Sequence, residues 1–218
     1  MADPDARSSR EDILDAAEAL FARQGFGPTT IKQIGRAASQ NPALLYYYFT
    51  GKDGLYSAVL QRLVGAMLTR GGAVLDAAGT PPDAIRALVA AQMEFVLTHP
   101  NAPRLLVREL IDHDARRAEA MLIEVAAGLF QRLCRLIEQG QREGQFRPDV
   151  EPRFAAVSTI AQVVYFIVAR PAITLFFAAG AGGGRELPAG VIREFGRHAG
   201  DFAVAALSAR AGGADRAL

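Results

Sequence analysis

The sequence predicts an all-α protein, and three observations carry that prediction. Apolar residues recur at helical spacing along nearly the whole chain, and no stretch shows the period-two alternation of a half-buried strand. Helix-start chemistry stands ahead of the apolar runs at Ser8, Thr30 and Asn41, each a residue whose side-chain oxygen can accept from the first free backbone N–H groups. Glycine and proline clusters separate the runs. Half of the 218 residues are hydrophobic and 22% are charged, which supports a sizeable core and excludes a disordered chain.

The first helix starts in Ser8-Ser9-Arg10-Glu11, where Ser8 and Glu11 have capping-box spacing. Its stripe of Ile13, Leu14, Ala17, Leu20 and Phe21 lies on one face, and Gly25 and Gly27 end it. A second helix of about two turns begins at Thr30, whose hydroxyl caps the N-terminus while Gln33 reaches back; Ile31, Ile34 and Ala38 give it a narrow apolar face. After Ser39-Gln40, Asn41 is an N-cap and Pro42 the first helical residue, where its missing N–H costs nothing. This third helix carries Ala43-Leu44-Leu45-Tyr46-Tyr47-Tyr48-Phe49 and breaks at Thr50-Gly51. Two short helices joined by so tight a turn have the outline of a helix-turn-helix. The rest of the pattern predicts helices over 53–78, 82–98, 102–112, 116–143, 152–170 and 188–210. The stretch from Ala178 to Gly184 is expected to be a mobile loop, because each glycine inside a helix costs about 1 kcal/mol relative to alanine. The expected organisation is an N-terminal three-helix domain over 8–52 and a larger C-terminal helical domain over 53–211, without internal repeats.

Several function classes are excluded. Lys plus Arg is 24 and Asp plus Glu is 23, so this is not a globally basic nucleic-acid binder. The single cysteine, Cys134, rules out an intrachain disulfide and a CxxC zinc site and fits a reducing compartment, so the expected location is the cytoplasm. The polar N-terminus does not read as a signal peptide. The apolar stretch from Phe154 to Ala169 stops at Arg170-Pro171, short of the ~20 residues a bilayer needs, and is expected to be a buried helix of a protein with no membrane partner. Asp112-His113-Asp114 puts three possible ligands together, but consecutive helical residues point in different directions and no second histidine follows at helical spacing. No catalytic motif is present, so the chain is not expected to be an enzyme, nor to hold a metal or cofactor.

Charge is informative locally. Residues 19–52 contain Arg23, Lys32, Arg36 and Lys52 and no acid, while Glu11, Asp12, Asp15 and Glu18 lie upstream. That window could face a duplex, or could be an ordinary solvated surface. The third helix says more. Leu45 and Phe49 share a face that suits the core, with Tyr48 beside them, which turns Pro42, Ala43, Tyr46 and Tyr47 outward. Ala43 and Leu44 suit contact with thymine methyls, and tyrosine hydroxyls can bond phosphate oxygens or base edges. The competing reading is an all-α small-molecule-binding or scaffold protein whose helix-turn-helix contacts protein.

The run from Thr29 to Leu60, TTIKQIGRAASQNPALLYYYFTGKDGLYSAVL, preceded by ILDAAEALFARQGF, closely resembles the DNA-binding domain of the TetR family of bacterial transcriptional repressors over about residues 10–60. The resemblance implies a homodimer that binds a palindromic operator and is released by a small-molecule effector when the fourth helix, over 53–78, pivots. It implies phosphate contacts from Thr30, with Lys32 or Gln33 beside it, base contacts from Asn41, Pro42, Ala43 and Leu44, contacts to backbone or adjacent bases from Tyr46 and Tyr47, and a phosphate contact from Lys52. Two positions depart from the family pattern. Ala38-Ser39-Gln40 replaces the usual Ala-Gly-Val turn, and Leu44 stands where Ser or Thr is common. Dimerisation is expected through the helices near 154–170 and 188–210, on stripes that include Phe154, Val157, Val164 and Val168 and then Ile192, Phe195 and Phe202. The alternative is that these stripes pack within one subunit. The effector pocket is expected among residues 82–170, with Met93, Phe130, Tyr165 and Phe166 as wall and Gln92, Arg108, Glu109, His113 and Gln162 as polar groups. Arg108 and Glu109 could equally form a structural ion pair or a solvated face.

Overall fold

The computed structural model describes residues 4–112, 123, 126–178 and 187–208. Among them every extended element is a helix: α1 (Pro4–Gln24), α2 (Ile31–Ala37), α3 (Pro42–Tyr48), α4 (Gly51–Ala77), α5 (Pro81–Thr98), α6 (Ala102–Asp112), a π-helical turn (Ala126–Phe130), α7 (Gln131–Arg142), α8 (Pro152–Ala178) and α9 (Ala189–Leu207). His113 and most of the predicted loop at 178–184 lie outside the described residues, as does much of the first half of the helix predicted over 116–143. The helices form two compact units, Met1–Ala66 with His99–Ile123, and Met67–Thr98 with Glu124–Leu218. Helix α6, read from sequence as part of the C-terminal domain, thus clusters with the N-terminal helices.

In the first unit the predicted stripe of α1 is the core: Ile13, Leu14, Ala17 and Phe21 are buried against Ile34 of α2, Leu45 of α3 and Leu55, Val59 and Leu60 of α4. Helix α6 adds Ala102, Leu105 and Glu109, an i, i+3, i+7 face that buries a carboxylate among apolar side chains. Arg62 of α4 gathers the acids of α1, with Nη1 2.6 Å from Asp15 and Nη2 2.6 Å from Glu18, and Glu11 at 3.3 Å. Burial opposes its charge, but the hydrogen bonds to Glu18 and Asp15 outweigh that and raise its pKa above the ordinary arginine value. Helix α1 starts at Pro4, a turn earlier than the capping signal at Ser8 suggests, with proline at its first position.

The second unit centres on the α5–α9 pair. A Cβ on Gly196 would lie 3.0 Å from Met93 Cγ, and one on Gly200 3.0 Å from the Arg86 Cα, so the two helices touch along a strip only glycine permits. Arg86–Asp201 at 2.8 Å and Arg193–Glu94 at 3.0 Å flank that strip. Two apolar clusters fill the remainder. One joins Ile85 and Leu88 to Leu133, Ile137, Phe146 and Ala156, and the other joins Val89 and Met93 to Val163, Phe166 and Ile192.

Helix α8 corrects the sequence reading twice. It continues through Pro171 to Ala178, and it is not a buried helix, since Phe154, Val157, Val164, Val168 and Leu175 are exposed. A proline inside a helix costs about 3 kcal/mol, but Ile167 before Pro171 and Ile173 after it both pack on the second apolar cluster and hold the helix across it. Residues 152–177 are long and apolar enough to cross a membrane by length and composition alone, with an 18-residue window at a mean hydropathy of 1.8.

Candidate nucleic-acid interface

The site is built by two caps and one turn. Thr30 is the N-cap of α2 in a capping box: its Oγ1 accepts from the Gln33 N–H at 3.2 Å, and Gln33 Oε1 accepts from the Thr30 N–H at 2.9 Å. Asn41 caps α3, its Oδ1 accepting from the Ala43 N–H at 2.9 Å, with Pro42 at the first helical position. Between them, Ser39 donates its N–H to the Arg36 carbonyl at 3.3 Å and Gln40 donates to the Gly35 carbonyl at 2.8 Å, which is the bond pair of a Schellman motif. Ser39 sits at φ +55°, in the left-handed region where glycine is usual. A serine therefore holds a left-handed turn position at which glycine is usual. Gly35 lets α3 approach, since a Cβ there would lie 3.0 Å from the Gln40 carbonyl and 3.4 Å from Pro42 Cγ.

Helix α3 divides as its spacing requires. Leu45 and Phe49 are buried and Tyr48 is half-buried, while Asn41, Pro42 and Ala43 are exposed and Tyr46 and Tyr47 stand out at 64% and 78% exposure. Leu44 is half-buried. The Tyr47 ring meets Tyr48 edge to face at 5.1 Å, and Tyr48 meets Phe49 at 6.2 Å, so the outward tyrosine leans on a row of rings running into the core. Thr30, Lys32, Gln33 and Arg36 on α2 are all exposed. With Glu11, Asp15 and Glu18 of α1 held by Arg62, this surface can offer cations, amides and hydroxyls to an anionic backbone.

Lys52 differs from a free surface lysine. Its Nζ donates to the carbonyls of Phe26 at 3.0 Å and Gly27 at 3.2 Å and lies 4.3 Å from the centre of the Phe26 ring. It caps the turn after α1, and an ammonium with three hydrogens can do this while keeping one for a phosphate. Sequence reasoning missed both this anchoring and the left-handed Ser39. Ser39 had a signal, because it stands at the family's glycine position.

The comparisons with known proteins bear on this arrangement. The family model described as "Bacterial regulatory proteins, tetR family" matches residues 13–59, and "Tetracyclin repressor-like, C-terminal domain" matches residues 81–182. The chain belongs to the TetR family of transcriptional regulators. It is 29% identical to the transcriptional repressor NicS of Pseudomonas putida over 74% of this chain and 76% of that one. It is 25% identical to the repressor KstR2 of Mycobacterium tuberculosis, over 66% and 72%. In fold it is similar to a tetR-family regulatory protein from Rhodococcus RHA1, with a TM-score of 0.74 at 18% identity over 93% and 98% of the two chains. The fatty acid degradation regulator FadR of Bacillus halodurans gives 0.72 at 15% over 94% and 96%.

In this TetR-family regulator the residues expected to form the effector pocket are dispersed. Met93 is buried against α9, and Phe166 stacks on Phe195 with ring centres 4.3 Å apart. Phe130 packs on the other apolar cluster, Gln162 is half-buried, and Tyr165 is 69% exposed. Gln92 lines a small hollow of about 10 Å³, the room of about one water molecule, with Met67, Arg70, Gly71, Ala91 and Phe95. Arg108 and Glu109 lie in the first unit, where Glu109 is buried and its Oε2 accepts from the Tyr56 hydroxyl at 3.1 Å.

Proposed function

We propose that this chain is a cytoplasmic repressor that binds a palindromic operator as a homodimer and leaves it when a small molecule occupies the second unit. The exposed start of α3 supports this most directly. A helix that turns Pro42, Ala43, Tyr46 and Tyr47 to solvent, from a turn fixed by backbone hydrogen bonds, has the shape and chemistry to enter a major groove. Base contacts come from Asn41, Pro42, Ala43 and Leu44. Tyr46 and Tyr47 meet the backbone or adjacent bases, and Thr30, with Lys32 or Gln33 beside it, and Lys52 hold phosphates and set register.

The dimer is supported by α8. Its exposed residues Phe154, Val157, Ala161, Val164, Val168, Pro171 and Leu175 follow a three-four repeat without a charge, and an uncharged strip along a helix about 40 Å long calls for a partner. Phe202 of α9 is likewise exposed, at 60%, whereas Ile192 is directed to the interior of its own subunit. A second copy meeting this strip across a two-fold axis buries it and pairs two reading heads. The effector is placed in the second unit, where Gln92 borders the small hollow lined by Met67, Arg70, Gly71, Ala91 and Phe95.

The test is a salt titration of the ligand-free chain on labelled duplex. Affinity should fall linearly in log–log form with a slope reporting several phosphates per dimer. No measurable duplex binding at low salt would overturn the proposal and favour a helix-turn-helix that contacts protein.

A further inference from the structure

Helix α6 lends the reading head a polar contact that its packing does not require. Glu109 is 1% exposed and Tyr56 is 2% exposed, and the Tyr56 hydroxyl donates to the Glu109 carboxylate across a separation of 53 residues in the chain. A leucine at position 109 would complete the apolar face begun by Ala102 and Leu105, so the carboxylate is a costly choice for cohesion alone. Its hydrogen bond orients a ring. Tyr56 lies edge-on to Phe21 at 5.0 Å and to Phe26 at 5.1 Å. Phe26 in turn carries Lys52 on its face, and its carbonyl receives the Lys52 ammonium. The contacts therefore run unbroken from the Glu109 carboxylate through Tyr56 and Phe26 to the lysine expected at the phosphates. Beside them, Arg108 Nη1 occupies the space over Gly25, 2.7 Å from where a Cβ would sit, at the φ +86° residue that ends α1.

We infer that Glu109 and Tyr56 are positioning residues for DNA binding: their buried hydrogen bond holds Phe26, and with it Lys52, in the orientation that meets the duplex. The inference rests on the reading of Lys52 as a phosphate contact, so the experiment includes Lys52→Ala as a separate arm.

The full chain and three variants, Glu109→Gln, Tyr56→Phe and the double variant Tyr56→Phe/Glu109→Leu, are measured on a duplex selected by the wild-type protein. Each is also unfolded in urea. The glutamine variant keeps an acceptor for the tyrosine and should bind within about twofold of wild type. Tyr56→Phe should bind about tenfold more weakly. The double variant replaces both polar partners with apolar groups of similar shape and so stays folded. It should still bind about tenfold more weakly, with a salt slope lower by about 0.9 per subunit. A double variant that is stable and binds with wild-type affinity and slope would show the pair to be structural only and would overturn the inference. If Lys52→Ala leaves the slope unchanged, the phosphate role of Lys52 fails and the positioning role of Glu109 and Tyr56, which acts through it, falls with it. If Lys52→Ala lowers the slope while the stable double variant binds as wild type does, the positioning role alone is overturned.

Discussion

Ser39→Gly is the substitution for which the structure gives the clearest expectation. Ser39 holds φ +55° at the Schellman turn joining α2 to α3, and a residue with a Cβ is disfavoured there by about 1–2 kcal/mol. Glycine removes that cost but loses more backbone freedom on folding, about 0.5–1 kcal/mol, so the net gain is about 0.5–1 kcal/mol. For a chain of this size such a gain raises Tm by about 1–4 °C. A local measurement isolates the turn. The Gln40 amide, bonded to the Gly35 carbonyl at 2.8 Å, should exchange about twofold to fivefold more slowly with solvent deuterium. Duplex affinity should hold within about twofold, because the direction of α3 is unchanged. Ser39→Val should move both readouts the other way, a β-branched residue being poorly suited to positive φ. A glycine variant with lower Tm and a faster-exchanging Gln40 amide would refute the account of this turn.

Three further outcomes are expected. Lys52→Ala removes the donor to the Phe26 and Gly27 carbonyls, so it should lower stability by about 1 kcal/mol. It should also weaken all duplexes alike and reduce the salt slope by about 0.9 per subunit, measured by anisotropy across a salt series. Val168→Asp puts a carboxylate in the middle of the uncharged strip of α8 and should weaken the dimer about 100-fold or more, read by sedimentation velocity; an unchanged dimer would move the interface elsewhere. Gly140→Ala brings a Cβ within 2.2 Å of the Phe146 ring and should destabilise the second unit, seen as a lower urea midpoint. Overpacking of this kind costs about 1–3 kcal/mol, and duplex affinity of the folded fraction should not change.

The reading head was legible because its determinants are local. A capping box, an Asn–Pro helix start and a 3.6-residue period act over two to four residues. They therefore placed Thr30, Gln33, Asn41 and Pro42 and separated Leu45 and Phe49 from Tyr46 and Tyr47. What lay beyond reach was non-local. Nothing near Glu109 in sequence points to Tyr56, and nothing near Lys52 announces that the carbonyls of Phe26 and Gly27 will meet its ammonium. Proline was over-read at 171, where one missing N–H was weighed without the packing of Ile167 and Ile173 on either side of it. Met93 and Phe166 show the limit of composition: apolar residues on helices around a cavity and in a core have the same pattern, and these two went to the core.

The central claim is that two copies of α3 read one duplex together. Selecting duplexes from a random pool with the full chain, then footprinting the winner, tests it most directly. An inverted repeat is expected, with half-site centres about 34–36 Å apart or a multiple of that and protection on the major-groove side of each. A footprint confined to one asymmetric half-site, or a pool that fails to enrich at low salt, would contradict it.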